Sequence, residues 1–269
     1  MADGHPQDAS SFCEVSPREP ESVDNASLWE DHAGWWQRAF TEGADPEYTE
    51  QILPIVAEWT RGYDRVLEVG TGEGQVARFV AADGDRVEGT RFVVGLDPTA
   101  NQITEAERRD GGVRYLRSGA EALPLAAVSF DAVVCCLVFE HIDDLEGALG
   151  EVARVLRPGG RFVFCLNHPL LSTPGSGWID DHVIDPPEQY WRIGPYLTEA
   201  AEIEQVEKGV FIRFVHRPLS RYVNTMADVG LRLDRLLEPP PPPGFLARAP
   251  EYVEAATIPR LLTLVATRT

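Results

Sequence analysis

Short apolar runs alternating with helix-period segments over residues 65–166 predict an α/β fold, a doubly wound and mostly parallel sheet with helices on both faces. Three observations carry this. Residues 65–69, 92–96, 113–116, 130–136 and 161–166 have strand length and apolar content. Between them, 73–82, 100–109 and the stretch bearing Leu145, Leu149, Val152, Val155 and Leu156 set apolar side chains at helical spacing. The run from Ala132 to Cys136 has no polar alternation, as expected of a strand covered on both sides.

The elements follow in order. Residues 1–25 are polar and rich in Pro, Ser, Glu and Asp, and read as a disordered tail. Residues 26–62 form an N-terminal helical segment. Ser27 caps a helix over 28–41 that carries Trp29, Trp36 and Phe40, and Asp45-Pro46 opens a second with Tyr48, Ile52, Val56 and Trp59. Pro54 lies inside that second helix and predicts a kink or a break. Residues 63–269 form the α/β domain. Its last regular helix stops at Pro158-Gly159-Gly160. The alternation ends after Asn167, and 168–216 read as an insertion without a clean period, apart from a strand over 210–215. A helix over 219–229 and strands over 231–237 and 261–267 complete the chain. The five prolines 239–243 form a stiff connection rather than a ligand for a proline-binding domain.

Composition narrows the function. The 269 residues include 43 acidic and 24 basic side chains, a net charge of −19, which disfavours a phosphate backbone as partner. No run approaches the roughly 20 apolar residues of a membrane span. Residues 1–12 show no secretory leader. Cys13, Cys135, Cys136 and Cys165 have no CxxC spacing, and the expected compartment is the reducing cytoplasm. Asp180, Asp181, His182 and Asp185 fit no standard metal spacing and read as a solvated loop, so no metal is expected.

The chemistry should sit at Glu68-Val69-Gly70-Thr71-Gly72-Glu73-Gly74, between a strand and a helix. The spacing is G-x-G-x-G, not the G-x-G-x-x-G of a dinucleotide fingerprint. The glycines allow a tight turn and close backbone approach to a ligand. An acid at Glu68 suits a ligand bearing a cationic amine rather than a pyrophosphate. Asp97, at the tip of the second strand, can accept from both hydroxyls of a ribose, or else cap the next helix. Together the two signals point to a nucleoside site.

With Gly95-Leu96-Asp97, Gly119-Ala120-Glu121-Ala122-Leu123-Pro124, Phe130-Asp131-Ala132-Val133-Val134, Glu140-His141-Ile142 and Arg157-Pro158-Gly159-Gly160 in this order, the chain resembles the class I S-adenosylmethionine-dependent methyltransferases. The likeness is to the small-molecule branch that includes the quinone-biosynthesis enzymes. It implies a Rossmann-like, seven-stranded sheet whose last strand is antiparallel, and S-adenosylmethionine as cofactor. It further implies that Gly70, Thr71, Gly72 and Gly74 shape the methionine pocket, with Leu137 beside it. Glu68 would help hold the amine and Asp97 the ribose. Pro98, Ala120 and Glu121 would flank the adenine. Gly119 stands where relatives often carry an adenine-binding Asp.

Methyl transfer needs alignment and a dry site more than acid–base groups. Of the six histidines, His168 and His216 are the candidates for a base or acceptor anchor, and His141 reads as structural. The insertion 168–216 is expected to form a lid, with Tyr190 and Trp191, together with Trp36 from the N-terminal segment, binding the acceptor. The expected partners are a small, apolar or aromatic acceptor and at most a second copy of the chain in a homodimer, with nucleic acid and membrane excluded. The alternative reading is a protein that binds S-adenosylmethionine as a scaffold without transferring methyl groups.

Overall fold

The computed structural model describes residues 25–82, 91–248 and 253–269. The expected tail up to residue 24, with His5 and Cys13, lies outside them. The chain opens with α1 (Asn25–Ala39). A π-helical turn, Tyr48–Ile52, then leads into α2 (Leu53–Thr60). Pro54 is the second residue of α2, and instead of the expected break the backbone stays helical through Ile52 and Leu53, with the π-helical turn widening the coil just ahead of the proline.

The domain then runs β1 (Arg65–Val69), α3 (Gln75–Ala82), β2 (Phe92–Asp97), α4 (Ala100–Arg109), β3 (Arg114–Arg117), β4 (Phe130–Cys136), α5 (Leu145–Val155) and β5 (Leu156–Asn167). Here the insertion departs from expectation. It is built of two hairpins, β6 (Gly177–Asp181) with β7 (Glu188–Arg192) and β8 (Ala200–Glu207) with β9 (Val210–His216). Both are two-stranded sheets outside the main one, and β8 is exposed along most of its length. Strands β6, β7 and β8 have no buried face to impose an apolar period, which is why the sequence reads as irregular there, whereas β9 buries Val210, Ile212 and Val215 and is the strand expected there. The chain closes with α6 (Leu219–Asp228), β10 (Leu231–Leu237), the short α7 (Pro243–Leu246) and β11 (Leu261–Arg268).

The main sheet has seven strands in the order β10-β11-β5-β4-β1-β2-β3. All pairings are parallel except those of β11, which runs antiparallel between β5 and β10. One face buries Phe130, Phe139, Leu145, Leu149, Phe162 and Met226 among others, and the other buries Ile52, Val56, Val76, Val80 and Val163. Helices cover both faces, as the unbroken apolar strands require. Among the described residues no helix is long and apolar enough to cross a membrane. The proline run packs against the body. Pro241 and Pro242 are buried, and the Gln51 amide donates to the Pro240 carbonyl.

The chain leaves β1 towards β2 on one side of the sheet and later fills β4 and β5 on the other. The crevice at the carboxyl ends of β1 and β4 is therefore the switch point, where open α/β sheets bind ligands.

Candidate functional site

A cavity of about 490 Å³ opens at this crevice, within the range of small-molecule sites. Its floor is the β1–α3 loop. Gly70 has φ +71° and lies so close to the Val138 side chain, just past β4, that a Cβ would overlap it. Only glycine lets these two strand ends meet. Leu137, also lining the cavity, is held at φ +59°, a strained conformation for a γ-branched residue at a ligand edge.

Two carboxylates set the loop. Glu68 Oε2 accepts from the Thr71 hydroxyl (2.5 Å) and the Ala77 amide (2.8 Å). Burial pushes its carboxyl up to about 8, against the lowering effect of those donors. Asp97 accepts from the Gly72 amide through Oδ2 (3.0 Å) and from the Thr99 amide and hydroxyl through Oδ1 (3.0 and 2.7 Å). Burial raises its pKa as well. Asp97 therefore both holds the glycine loop and caps α4, and its remaining lone pairs line the cavity. Pro98, Ser118, Gly119, Ala120 and Glu121 form the adjoining wall.

The roof is α1. Glu30 accepts from the Ala100 and Asn101 amides (2.6 and 3.1 Å), placing a carboxylate on the N-terminus of α4. The Gln37 amide donates to Gln102 (2.9 Å). On the other side, His32 accepts from the Phe211 amide (3.2 Å), and the Trp35 indole donates to Glu207 (2.7 Å). The hairpin β8–β9 thus braces the roof from behind. Trp29, Trp36 and Tyr48 face the cavity, together with His141. The His141 Nδ1 is 2.9 Å from the Arg213 carbonyl, so it carries the proton and leaves Nε2 as an acceptor. Burial lowers the pKa of this imidazole to about 4. Its neighbour Glu140, raised by burial to about 7, accepts from the Asn167 side chain (2.9 Å) and has a second buried oxygen without a partner.

The structure gathers Glu68, Gly70, Thr71, Gly72, Asp97, Pro98, Ala120, Glu121, Leu137 and Trp36 around this one cavity. Gly74 does not line it. A Cβ there would strike the Tyr115 ring, so its role is packing. His168, His216, Tyr190 and Trp191 are placed elsewhere. His168 Nε2 meets Glu238 (2.9 Å), and its Nδ1 accepts from the Leu170 amide (3.1 Å). His216 Nε2 meets the Tyr196 carbonyl (2.8 Å). Tyr190 and Trp191 lie on the exterior hairpin, where Trp191 packs on Trp178. These groups hold the insertion together, and none reaches the cavity. Sequence reasoning passed over Asn25, Tyr48 and His141 as site residues. His141 carried a signal, its place immediately beyond β4 at the sheet's carboxyl edge.

Comparison with known proteins agrees with this geometry. Residues 67–164 match the family described as Methyltransferase domain. The chain is 36% identical over 104 residues to malonyl-[acyl-carrier protein] O-methyltransferase of Enterobacter lignolyticus, covering 39% of each chain. It is 36% identical over 128 residues to demethylmenaquinone methyltransferase of Thermus thermophilus, covering 47% of this chain and 56% of that one. These matches span about half or less of the relatives' length. A solved S-adenosylmethionine dependent methyltransferase from Mesorhizobium loti is 26% identical, with a TM-score of 0.68 over 83% of this chain and 98% of its own. The fold and the site thus define a class I methyltransferase domain. Over residues 67–164 the chain matches a methyltransferase domain, and in sequence and fold it is similar to S-adenosylmethionine-dependent methyltransferases.

The donor set fits that cofactor. Two buried carboxylates at the tips of adjacent strands face one cavity, and a backbone turn cradles its floor. A cationic amine, a vicinal diol and a flat base would each meet a complementary group.

Proposed function

We propose that the protein transfers a methyl group from S-adenosylmethionine to a small organic acceptor bound under α1. One observation carries the reading. Glu68 and Asp97 are buried, brace the glycine loop and line the same cavity as an aromatic roof. When bound, S-adenosylmethionine supplies an electrophilic methyl group, so the chain has only to bind, align and exclude water. Glu68 holds the amine, Asp97 the ribose, and Ala120 and Glu121 flank the adenine. The residues 26–62 act as the lid, and Trp36 contacts the acceptor. The matched family segment, 67–164, leaves out α1, and acceptor choice is assigned to this roof.

The test is titration calorimetry with S-adenosylhomocysteine, followed by detection of that product with a panel of small acceptors. Micromolar binding and turnover with at least one acceptor are expected. Tight binding with no turnover across the panel would favour a binding protein instead.

A further inference from the structure

Four rings enclose the acceptor end of the cavity. Trp29 meets Trp36 edge-on at 5.5 Å and His141 at 4.9 Å, and Trp36 meets Tyr48 at 6.0 Å. All four line the cavity, whereas no arginine or lysine among the described residues does. The two arginines that touch this end are occupied. Arg213 pairs with Asp143 (2.7 Å), and Arg217 donates to the carbonyls of Phe139, Ile142 and Asp143. Of the lining carboxylates, Glu73 is paired with Arg78 and Arg109, but Glu68, Asp97 and Glu121 stand in no described ion pair. An anionic acceptor would find no lining counter-charge here, whereas a cation would find ring faces.

From this box of rings and the absence of a lining cation we infer that the acceptor is an amine, held as its nitrogen passes between the ammonium and the free-base form. The inference rests on the methyltransferase reading above. The nucleophile has to be reactive without strong help from the protein. The described side chains at this end offer a weakly basic imidazole, the Asp143 carboxylate already paired with Arg213, and two groups held protonated, Tyr48 by burial and Cys136 by its hydrogen bond with Cys165 and by burial. A phenol or alcohol would need a base to shed its proton, and an amine does not. The free amine's lone pair forms the new N–C bond as the C–S bond breaks. That bonding pair stays on sulfur, the positive charge passes to nitrogen, and a surplus proton leaves to water. With Nδ1 engaged by the Arg213 carbonyl, Nε2 of the lining His141 is left to accept an N–H and so to aim that lone pair. The ring faces then hold the charged product nitrogen, in the manner of aromatic cages for alkylammonium groups.

The test uses the full chain saturated with S-adenosylhomocysteine and three matched probes: tryptamine, indole-3-propionate and 3-ethylindole. Calorimetry is expected to show tryptamine bound roughly 3- to 30-fold more tightly than the neutral probe, the range of a cation over aromatic faces, with the acid weakest. Trp29→Ala should remove most of the amine's advantage while leaving S-adenosylhomocysteine affinity within about twofold. His141→Asn, which keeps an acceptor, should retain amine binding better than His141→Leu. Equal binding of acid and amine, no binding of the amine, or an equal loss for amine and neutral probe in Trp29→Ala would overturn the inference. Failure of S-adenosylhomocysteine itself to bind would instead overturn the methyltransferase reading.

Discussion

The floor and the roof of the cavity are built by opposite means. The floor is the end of a buried parallel sheet, and its positions follow from strand register and from glycines with no room for a side chain. The roof is one helix held by side chains: Glu30 and Gln37 on the α4 side, His32 and Trp35 on the hairpin side. The floor is over-determined and rigid, since moving it disturbs the core. The roof is fastened by a handful of polar contacts, each worth about 1 kcal/mol. If the roof of so divided a site acts as the proposed lid, ligand entry releases those few contacts while the floor stays fixed.

Substitutions should expose this division. The largest effect is expected from Gly70→Val, which combines a left-handed backbone with overlap of Val138. It should cost about 2–4 kcal/mol in urea unfolding and abolish S-adenosylhomocysteine binding. Retained binding would mean that the loop does not form the floor. Asp97→Ala should come next. It frees the Gly72 and Thr99 donors and removes the ribose acceptor, so affinity by calorimetry should fall by about 1–3 kcal/mol.

The pH response sharpens the comparison, because Glu68 lies at the floor, while Glu140 is buried behind the cavity against Asn167. Glu68, near 8, and Glu140, near 7, keep protons in the folded state that the unfolded chain loses near 4.5. The folded state then binds more protons, so stability should be greatest below pH 4.5 for these two groups and decline as pH rises through 8. A ligand amine beside Glu68 favours its ionised form. The thermal shift given by S-adenosylhomocysteine should therefore grow from pH 6 to pH 8, with a proton released on binding at pH 7. A shift independent of pH would remove Glu68 from the amine site. The smallest effect belongs to the roof. Glu30→Ala should lower stability by only about 1 kcal/mol, the usual worth of a helix cap, yet speed dissociation of S-adenosylhomocysteine in stopped-flow fluorescence. An unchanged rate would show that α1 is not the gate.

The same division decides what could be read from the sequence. The β1–loop–α3 unit and Asp97 are local. Each announces itself within ten residues through strand pattern, glycine spacing and an acid at a strand tip. The inner strands of the main sheet were legible because burial on both faces leaves apolar runs, and the more exposed edge strands β3 and β10 were read from their short apolar content. The roof was not, because its contacts join residues far apart. His141 faces the cavity through a bond to Arg213, 72 positions later, and nothing near either residue reports it. His168 and His216 looked equally suitable by position. Their partners Glu238 and the Tyr196 carbonyl, which only the fold supplies, engage them outside the site. Strands β6, β7 and β8 escaped notice because ribbon strands on the exterior need no apolar stripe, whereas β9, which buries Val210, Ile212 and Val215, was legible.

Glu30 also bears on how the chain is made. It meets amides 70 and 71 positions later, and His32 meets one 179 positions later. During synthesis from the N-terminus, α1 leaves the ribosome well before α4 and far ahead of the hairpin that braces it. At the pace of translation, roughly 5–20 residues per second, this helix waits several seconds for its first anchor and longer for its second. The nucleotide-sized hollow is therefore assembled open, and α1, made well before its anchors, is among the last elements to find its place.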